Sequence, residues 1–427
     1  MSTMSDYSES GRYTLIAFDR HGVLRDDLGA VDRLIEALGR EPVTDVFVFS
    51  HGWLNNRDQA NAHYQNVIRA VAKQYSARRT EIEDRRPGFR PLLVGLHWPS
   101  TPWTGLDTLY SLEEEVAFYT SVIGDGSAED ELRPLLEQAR TEPDPDRLPG
   151  PTAARLLHLD QMSGLRTAEV GAAPGDDREV FEPQRIFRDF KDNRSGIVGS
   201  RAFRSVLSPL WVTSFWVMKR RALDVGRTGV HHLLRRLQAP DQTQRVRFHL
   251  IGHSFGGIVC CGALQGPRGE EPPLRPVHSL TLLQGALSLW SFAEVIPDTE
   301  RSGYFRHILR GSRVAGPIVT TQSDHDRALG WFYRMAAPLS RDPRLAPGDT
   351  PRYGAVGSYG LAGLSDGLTV WDELGRARWP YRLEPGRCYN IDCTSVINGH
   401  RLSLQGSHSD LEKAELADLL WAAVTSA

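Results

Sequence analysis

Residues 246–257 read VRFHLIGHSFGG: an apolar strand-type run that breaks at Gly252 and resumes at once as an apolar helix-compatible run. Almost nothing separates the two, so the chain must turn sharply from strand into helix. That turn holds its corner residue, Ser254, in a strained backbone conformation. The residues two before and two after the corner crowd one another, which favours glycine at both, and the sequence has Gly252 and Gly256 there. The corner hydroxyl then stands at the edge of the sheet beside a helix N-terminus. A corner of this kind belongs to a sheet whose strands alternate with helices.

The rest of the chain follows that alternation. Apolar runs predict strands over 13–18, 46–50, 91–96, 246–251, 279–283, 317–321 and 388–392. Helical spacing appears over 31–38, from residue 60 onward (Tyr64, Val67, Ile68, Val71, Ala72, Tyr75), over 256–264 and over 410–424. Ser409 and Glu412 are spaced as a capping box for the last of these. The expected fold class is α/β, with a mostly parallel central sheet flanked by helices. A single domain over residues 1–427 is expected, carrying a long insertion at about 100–240 and a second irregular one at about 336–368.

The 100–240 insertion holds no recognisable sheet strand. Its stretch 124–194 is rich in Gly, Pro, Asp, Glu and Arg and reads as loop in part. Residues 205–237 read as helix, with Trp211, Phe215, Trp216 and Met218 as bulky apolar groups followed by Lys219-Arg220-Arg221. Two readings stand for this helix: a lid or membrane-surface patch, or a helix packed on the sheet ahead of the strand at 246–251.

Composition excludes some classes. Formal net charge is -3, without the basic surplus of a nucleic-acid binder, so no nucleic-acid partner is expected. Residues 1–12 lack a basic and an apolar region, so no secretory leader is read and a cytoplasmic location is expected. The most apolar stretch, 206–218, is too short for a transmembrane segment, though peripheral membrane contact fits the lid reading. Cys260, Cys261, Cys388 and Cys393 fit no metal or redox spacing, and Cys260 and Cys261, in an apolar run, read as buried free thiols. His231-His232 has no companion ligands and reads as structural. Neither a metal nor a cofactor is expected.

Three short motifs carry a resemblance: Phe49-Ser50-His51-Gly52-Trp53, Trp98-Pro99-Ser100, and Gly252 to Gly257. In these the chain resembles the α/β-hydrolase superfamily of esterases and lipases, and within it a bacterial branch that pairs a strand–HG motif with a WPS motif and a GHSxGG elbow. The resemblance covers the sheet elements between about 45 and 425 and does not reach the insertions. It implies Ser254 as nucleophile and an oxyanion hole from the backbone N–H groups of Phe255 and Trp53. It also implies the order serine, acid, histidine. The acid candidates are Asp326 and Asp324, with Asp326 preferred because an Ala-Leu pair follows it closely. The base candidates are His408 and His400, with His408 preferred for its place just before the last helix. His325, between the two acids, reads as a local hydrogen-bond partner, and His253 as pointing away from the chemistry by strand alternation. Trp53 and Trp98 either line an acyl pocket or fill the core at the strand ends.

The function these readings imply is cleavage of a carboxylic ester, on a small-molecule or lipid acyl substrate, through an acyl-enzyme. Acyl transfer, thioester cleavage and amide cleavage use the same residues. A non-catalytic binding scaffold on the same fold is the alternative from another class, and the intact elbow argues against it.

Overall fold

The computed structural model describes residues 13–25, 28–101, 111–168, 170–192, 204–240, 245–267, 272–326, 350–374, 381–399 and 407–426. Eight strands form one sheet: β1 (Thr14–Ala17), β2 (Asp45–Ser50), β3 (Pro91–His97), β4 (Arg247–His253), β5 (Ser279–Leu283), β6 (Ile318–Gln322), β7 (Thr369–Glu373) and β8 (Cys388–Asp392). Their order is β1-β3-β2-β4-β5-β6-β8-β7, and every pairing is parallel. The protein is therefore an α/β protein built on a parallel sheet flanked by helices, compatible with the α/β-hydrolase fold.

Successive side chains on a strand face opposite ways, and the sheet uses both faces. Val46, Val48, Phe248, Leu250, Leu280 and Leu282 pack on one side with helices Ser208–Val225 and Phe255–Gln265. Phe47, Phe49, Ile251, Leu283, Val319 and Ile391 pack on the other with helices Arg57–Ala77 and Ala414–Thr425. Trp421, on the last of these, is fully buried and donates its indole N–H to Val71 O at 2.9 Å.

Strand order reverses between β2 and β4. From β2 the chain runs outward to β3, and from β4 it runs the other way to β5. The two following helices thus lie on opposite faces, which opens a crevice at the carboxyl ends of β2 and β4. Ser50 pairs with Gly252 in this register, so the residues just past them, His51-Gly52-Trp53 and His253-Ser254, meet at the mouth of the crevice.

The seven predicted strands are all present within two residues of their expected ends. An eighth, β7, was not predicted. It is a half-exposed edge strand, TVWDE, whose charged outer residues hide its periodicity. Residues 124–194 are loop only in part, over 163–168 and 170–182 for example; helices Ala128–Thr141, Gly150–Met162 and Pro183–Asp192, which the sequence did not reveal, occupy much of the rest. Leu132, Leu135, Leu136 and Ala139 form a buried stripe at helical spacing, which Pro134 and many charges obscure in the sequence. Among the described residues, no strand lies between 101 and 240. Of the second insertion, 336–349 lies outside the described residues; 350–368 contains one short helix, Val356–Tyr359. The capping box is also corrected. The C-terminal helix starts at Ala414 with Lys413 as N-cap, and the Glu412 carboxylate instead accepts from Asn66 Nδ2 at 2.6 Å.

Helix Ser208–Val225 is buried on nearly all sides, Leu210, Trp211, Phe215, Trp216 and Met218 included. The packed-helix reading is the one observed, and no apolar face remains for a membrane surface. No described helix is long and apolar enough to cross a membrane. The helix continues through a π turn, Gly226–Val230. A Cβ at Gly226 would come within 2.4 Å of Val259 O, so this turn lets the helix press against Phe255–Gln265.

Two buried ion pairs fix the insertion. Arg178 binds Asp160 through both its terminal nitrogens at 2.7 Å, and Thr213 donates to Asp160 at 2.9 Å. Lys219, with no exposure, reaches Asp177 at 2.9 Å and lies 4.5 Å over the Trp216 ring. Burial pushes Asp177 up and Lys219 down, and each group's charge opposes the other's shift. Removing one partner strands a buried charge. Lys219→Met is expected to cost about 3–5 kcal/mol in urea unfolding. Adding Asp177→Asn should recover much of that loss; a double variant no more stable than the single one would contradict this account.

Candidate active site

Ser254 sits where the sequence places it, at the corner between β4 and helix Phe255–Gln265. Its φ and ψ are 56° and -121°, in the left-handed region that an L-residue enters only under constraint. The constraint comes from neighbouring backbone. Its N–H donates to Leu283 O at 3.0 Å, and its C=O accepts from Gly257 and Ala286, both at 3.1 Å. A Cβ at Gly252 would lie 2.5 Å from Gly256 C, which is the crowding expected of the motif. Gly256 has a second reason to be glycine: a Cβ there would meet Ser50 O at 2.1 Å. The helix is thereby seated directly on the end of β2.

The β2 loop closes against the same serine. A Cβ at Gly52 would lie 2.6 Å from Ser254 Cβ and 3.2 Å from Ser254 Oγ. Trp53 follows immediately. Its half-buried ring stacks on Phe255 at 5.8 Å and meets Phe215 of the insertion edge-on at 5.5 Å. Phe255 is the first residue of its helix, where an N–H has no intrahelical acceptor. Both residues expected to frame an oxyanion thus flank Ser254, held by one aromatic cluster.

The HG and WPS motifs are stitched together. Trp98 Nε1 donates to His51 O at 3.1 Å, Leu54 N to Ser100 O at 3.0 Å, and Ser100 Oγ to Asn55 O at 3.0 Å. The Trp98 and His51 rings stack at 5.6 Å, and His51 N donates to Tyr64 Oη at 2.7 Å. Trp98 is fully buried, so core filling is its observed place. The WPS loop therefore braces the loop that carries Gly52 and Trp53.

Asp326 and His408 are brought together across 82 residues: His408 Nδ1 lies 2.7 Å from Asp326 Oδ2, and both residues are buried. A carboxylate can only accept, so Nδ1 carries the proton of this hydrogen bond. Asp324 is exposed, and its backbone N–H donates to Thr394 Oγ1 at 3.2 Å. His400 and the Ala-Leu pair at 328–329 lie outside the described residues. His325 acts locally, donating its backbone N–H to Ser323 Oγ and accepting from Ser407 N–H.

Sequence reasoning set His253 aside, and the structure returns it to the site in a supporting place. Its Nε2 donates to His408 O at 2.9 Å, and its ring lies 4.8 Å from the His408 ring. Burial, reinforced by His408, holds its pKa well below the ordinary value, which keeps it a neutral donor. Gln284 was also missed. It is fully buried after β5 with φ 46°, and its carboxamide satisfies its surroundings only with the nitrogen facing Asp326 Oδ2.

A second Ser/His/Asp set lies deeper in the sheet. His249 contacts Ser279 Oγ at 2.8 Å through Nδ1 and Asp45 Oδ1 at 3.1 Å through Nε2. All three are fully buried strand residues, and Arg86 pairs with Asp45 at 2.8 Å. With no access to a substrate, this set ties β2, β4 and β5 together. His231 is likewise structural, its Nδ1 donating to Ala263 O at 2.8 Å. All four cysteines are buried and free. Among the described residues, no group of His, Cys, Asp or Glu is arranged to hold a metal ion.

The fold and site together define an α/β protein with a strained serine at its switch point and a His–Asp pair delivered by later loops. No known protein family, curated protein or solved structure matches the chain.

His51 gives a pH prediction. Burial pulls its pKa down to about 3, against the opposing effect of its bond to Gly52 O. A base whose folded pKa is lowered contributes stability above its unfolded pKa of about 6.5, and that stability is lost as pH falls toward 3. Lowering pH from 7.5 to 5 should therefore cost about 2 kcal/mol through His51 alone. Urea midpoints at the two pH values check this, and His51→Gln should flatten the dependence. Equal midpoints in the wild type would contradict it.

Proposed function

We propose that the protein is a serine hydrolase of the α/β-hydrolase fold, with the helices between β3 and β4 as an insertion that braces the catalytic edge. The observation that carries this reading is the conformation of Ser254. A non-glycine residue held at positive φ, at a strand–helix corner whose preceding residue His253 packs on the buried His408–Asp326 pair, has no packing role that glycine would not fill at lower strain.

The mechanism follows from the protonation pattern. Asp326 fixes the His408 tautomer, so Nε2 accepts the Ser254 proton as Oγ attacks an acyl carbonyl. The oxyanion that forms is met by the N–H groups of Phe255 and Trp53, fixed donors in a site that backbone packing has already arranged. His408 returns the proton to the leaving group, leaving an acyl-enzyme. A water molecule, deprotonated by the same Nε2, then releases the acid and restores the hydroxyl. The steps balance without metal or cofactor. Carboxylic esters, small-molecule or lipid, are the substrate class we assign.

A fluorophosphonate probe tests the chemistry. Wild type should label at one site and Ser254→Ala should not label at all. His408→Ala should slow labelling by about 10⁴-fold or more. Asp326→Asn should slow it by orders of magnitude, and Asp324→Asn should leave it near normal. A folded wild type that resists the probe would sink the hydrolase reading. A p-nitrophenyl ester panel of increasing acyl length checks the ester assignment; turnover of thioesters or amides alone would redirect it.

A further inference from the structure

We infer that Gln284 is a positioning residue that holds Asp326 for the Ser254–His408 pair, an inference that rests on the hydrolase reading. Gln284 directly follows β5 and has no exposed surface. Its φ of 46° places it, with Leu54 (63°) and Ser254 (56°), among the few non-glycine residues at positive φ, and these three all border the site. Its backbone N–H donates to Thr321 Oγ1 at 3.0 Å, which ties it to β6, the strand that leads to Asp326. Its carboxamide end lies 3.0 Å from Asp326 Oδ2 and 2.8 Å from Gly357 O; both are acceptors, so the group that faces them is the amide nitrogen, which donates to each.

Asp326 Oδ2 is the same oxygen that accepts from His408 Nδ1. It thus receives two N–H donors, one from the base and one from a group that cannot titrate. The second donor does two things. It fixes the carboxylate plane against a backbone anchor, Gly357 O. It also spreads part of the carboxylate's charge, so Asp326 pulls less strongly on a proton at His408. Asparagine or glycine would tolerate the backbone conformation better, but neither side chain spans the distance; the strained glutamine is explained by its reach.

The test uses the full-length chain and the fluorophosphonate probe, with labelling rate measured against pH and normalised to folded protein by circular dichroism. Gln284→Leu removes both donors while keeping bulk. Gln284→Glu keeps the shape and puts a second carboxylate beside the first. Both should label at least about tenfold more slowly at neutral pH. In both, the acid limb of the rate profile, set by neutral His408, should move upward by about half a pH unit or more, further in Gln284→Glu. A purely structural role would lower the folded fraction without moving that limb. Variants that match the wild-type rate and limb overturn the inference while leaving the hydrolase reading intact. If neither variant folds, Gln284 is a scaffold residue and the inference falls. If wild type itself does not label, the hydrolase reading falls and takes this one with it.

Discussion

Helix Phe255–Gln265 approaches the end of β2 so closely that no side-chain atom fits between them at Gly256, where a Cβ would come to 2.1 Å from Ser50 O. The same closeness recurs at Gly252 against Gly256 and at Gly52 against Ser254. Three glycines thus let two strand ends and one helix start share a volume that ordinary residues would fill. The cost is strain at Ser254, which the surrounding hydrogen bonds from Gly257 and Ala286 and to Leu283 hold in place. Because β2 and β4 lead in opposite directions across the sheet, the shared volume opens outward as a crevice. A hydroxyl placed there meets a helix N-terminus on one side and the Gly52–Trp53 loop on the other.

The insertion gains its meaning from that arrangement. Phe215 packs on both Trp53 and Phe255, so one helix face supports the two residues that flank the serine. Arg221, four residues past Val217 on the same helix, donates to Pro99 O of the WPS loop at 3.2 Å. Buried pairs Arg178–Asp160 and Lys219–Asp177 hold this helix against the preceding segments. Buried ion pairs contribute little net stability over apolar residues, but they penalise any displaced packing heavily. A helix that must place Phe215 accurately is a reasonable position for them.

Much of this was legible from residues alone, for identifiable reasons. Strands β2 to β6 and β8 are largely buried, apolar-rich runs because both faces of a parallel sheet are covered. Strand β7 was not legible, since it lies at an edge with Trp371 and its neighbours exposed. The elbow was legible because its glycines answer to local crowding. Asp326 and Asp324 could not be separated by physics in the sequence: they lie two residues apart on one loop, and only the fold shows which is turned inward. Gln284 carried no sequence signal beyond a Gln-Gly pair after a strand, which reads as an ordinary turn. His253 was misjudged because alternation describes a straight strand, and here the chain bends at the next residue. The helices of 128–192 were obscured because their apolar stripes are narrow among many charges.

The Asp45–His249–Ser279 set shows why residue types and distances do not by themselves define a site. Its contacts, 2.8 and 3.1 Å, are as good as the 2.7 Å between His408 and Asp326. The difference lies in backbone and position. Ser279 is a regular strand residue in register with His249, unstrained and enclosed within the sheet. Ser254 is past the end of its strand, at positive φ, where the sheet order reverses. In the deeper set both imidazole nitrogens join neighbouring strands and the second Asp45 oxygen takes Arg86, so the buried imidazole there satisfies the sheet. At the crevice, His408 spends Nδ1 on Asp326 and keeps Nε2 available. A His–Asp pair packed on His253, the chain neighbour of the strained serine, bears on the chemistry proposed for that serine; an internal hydrogen-bond chain of the same residue types is a structural tie.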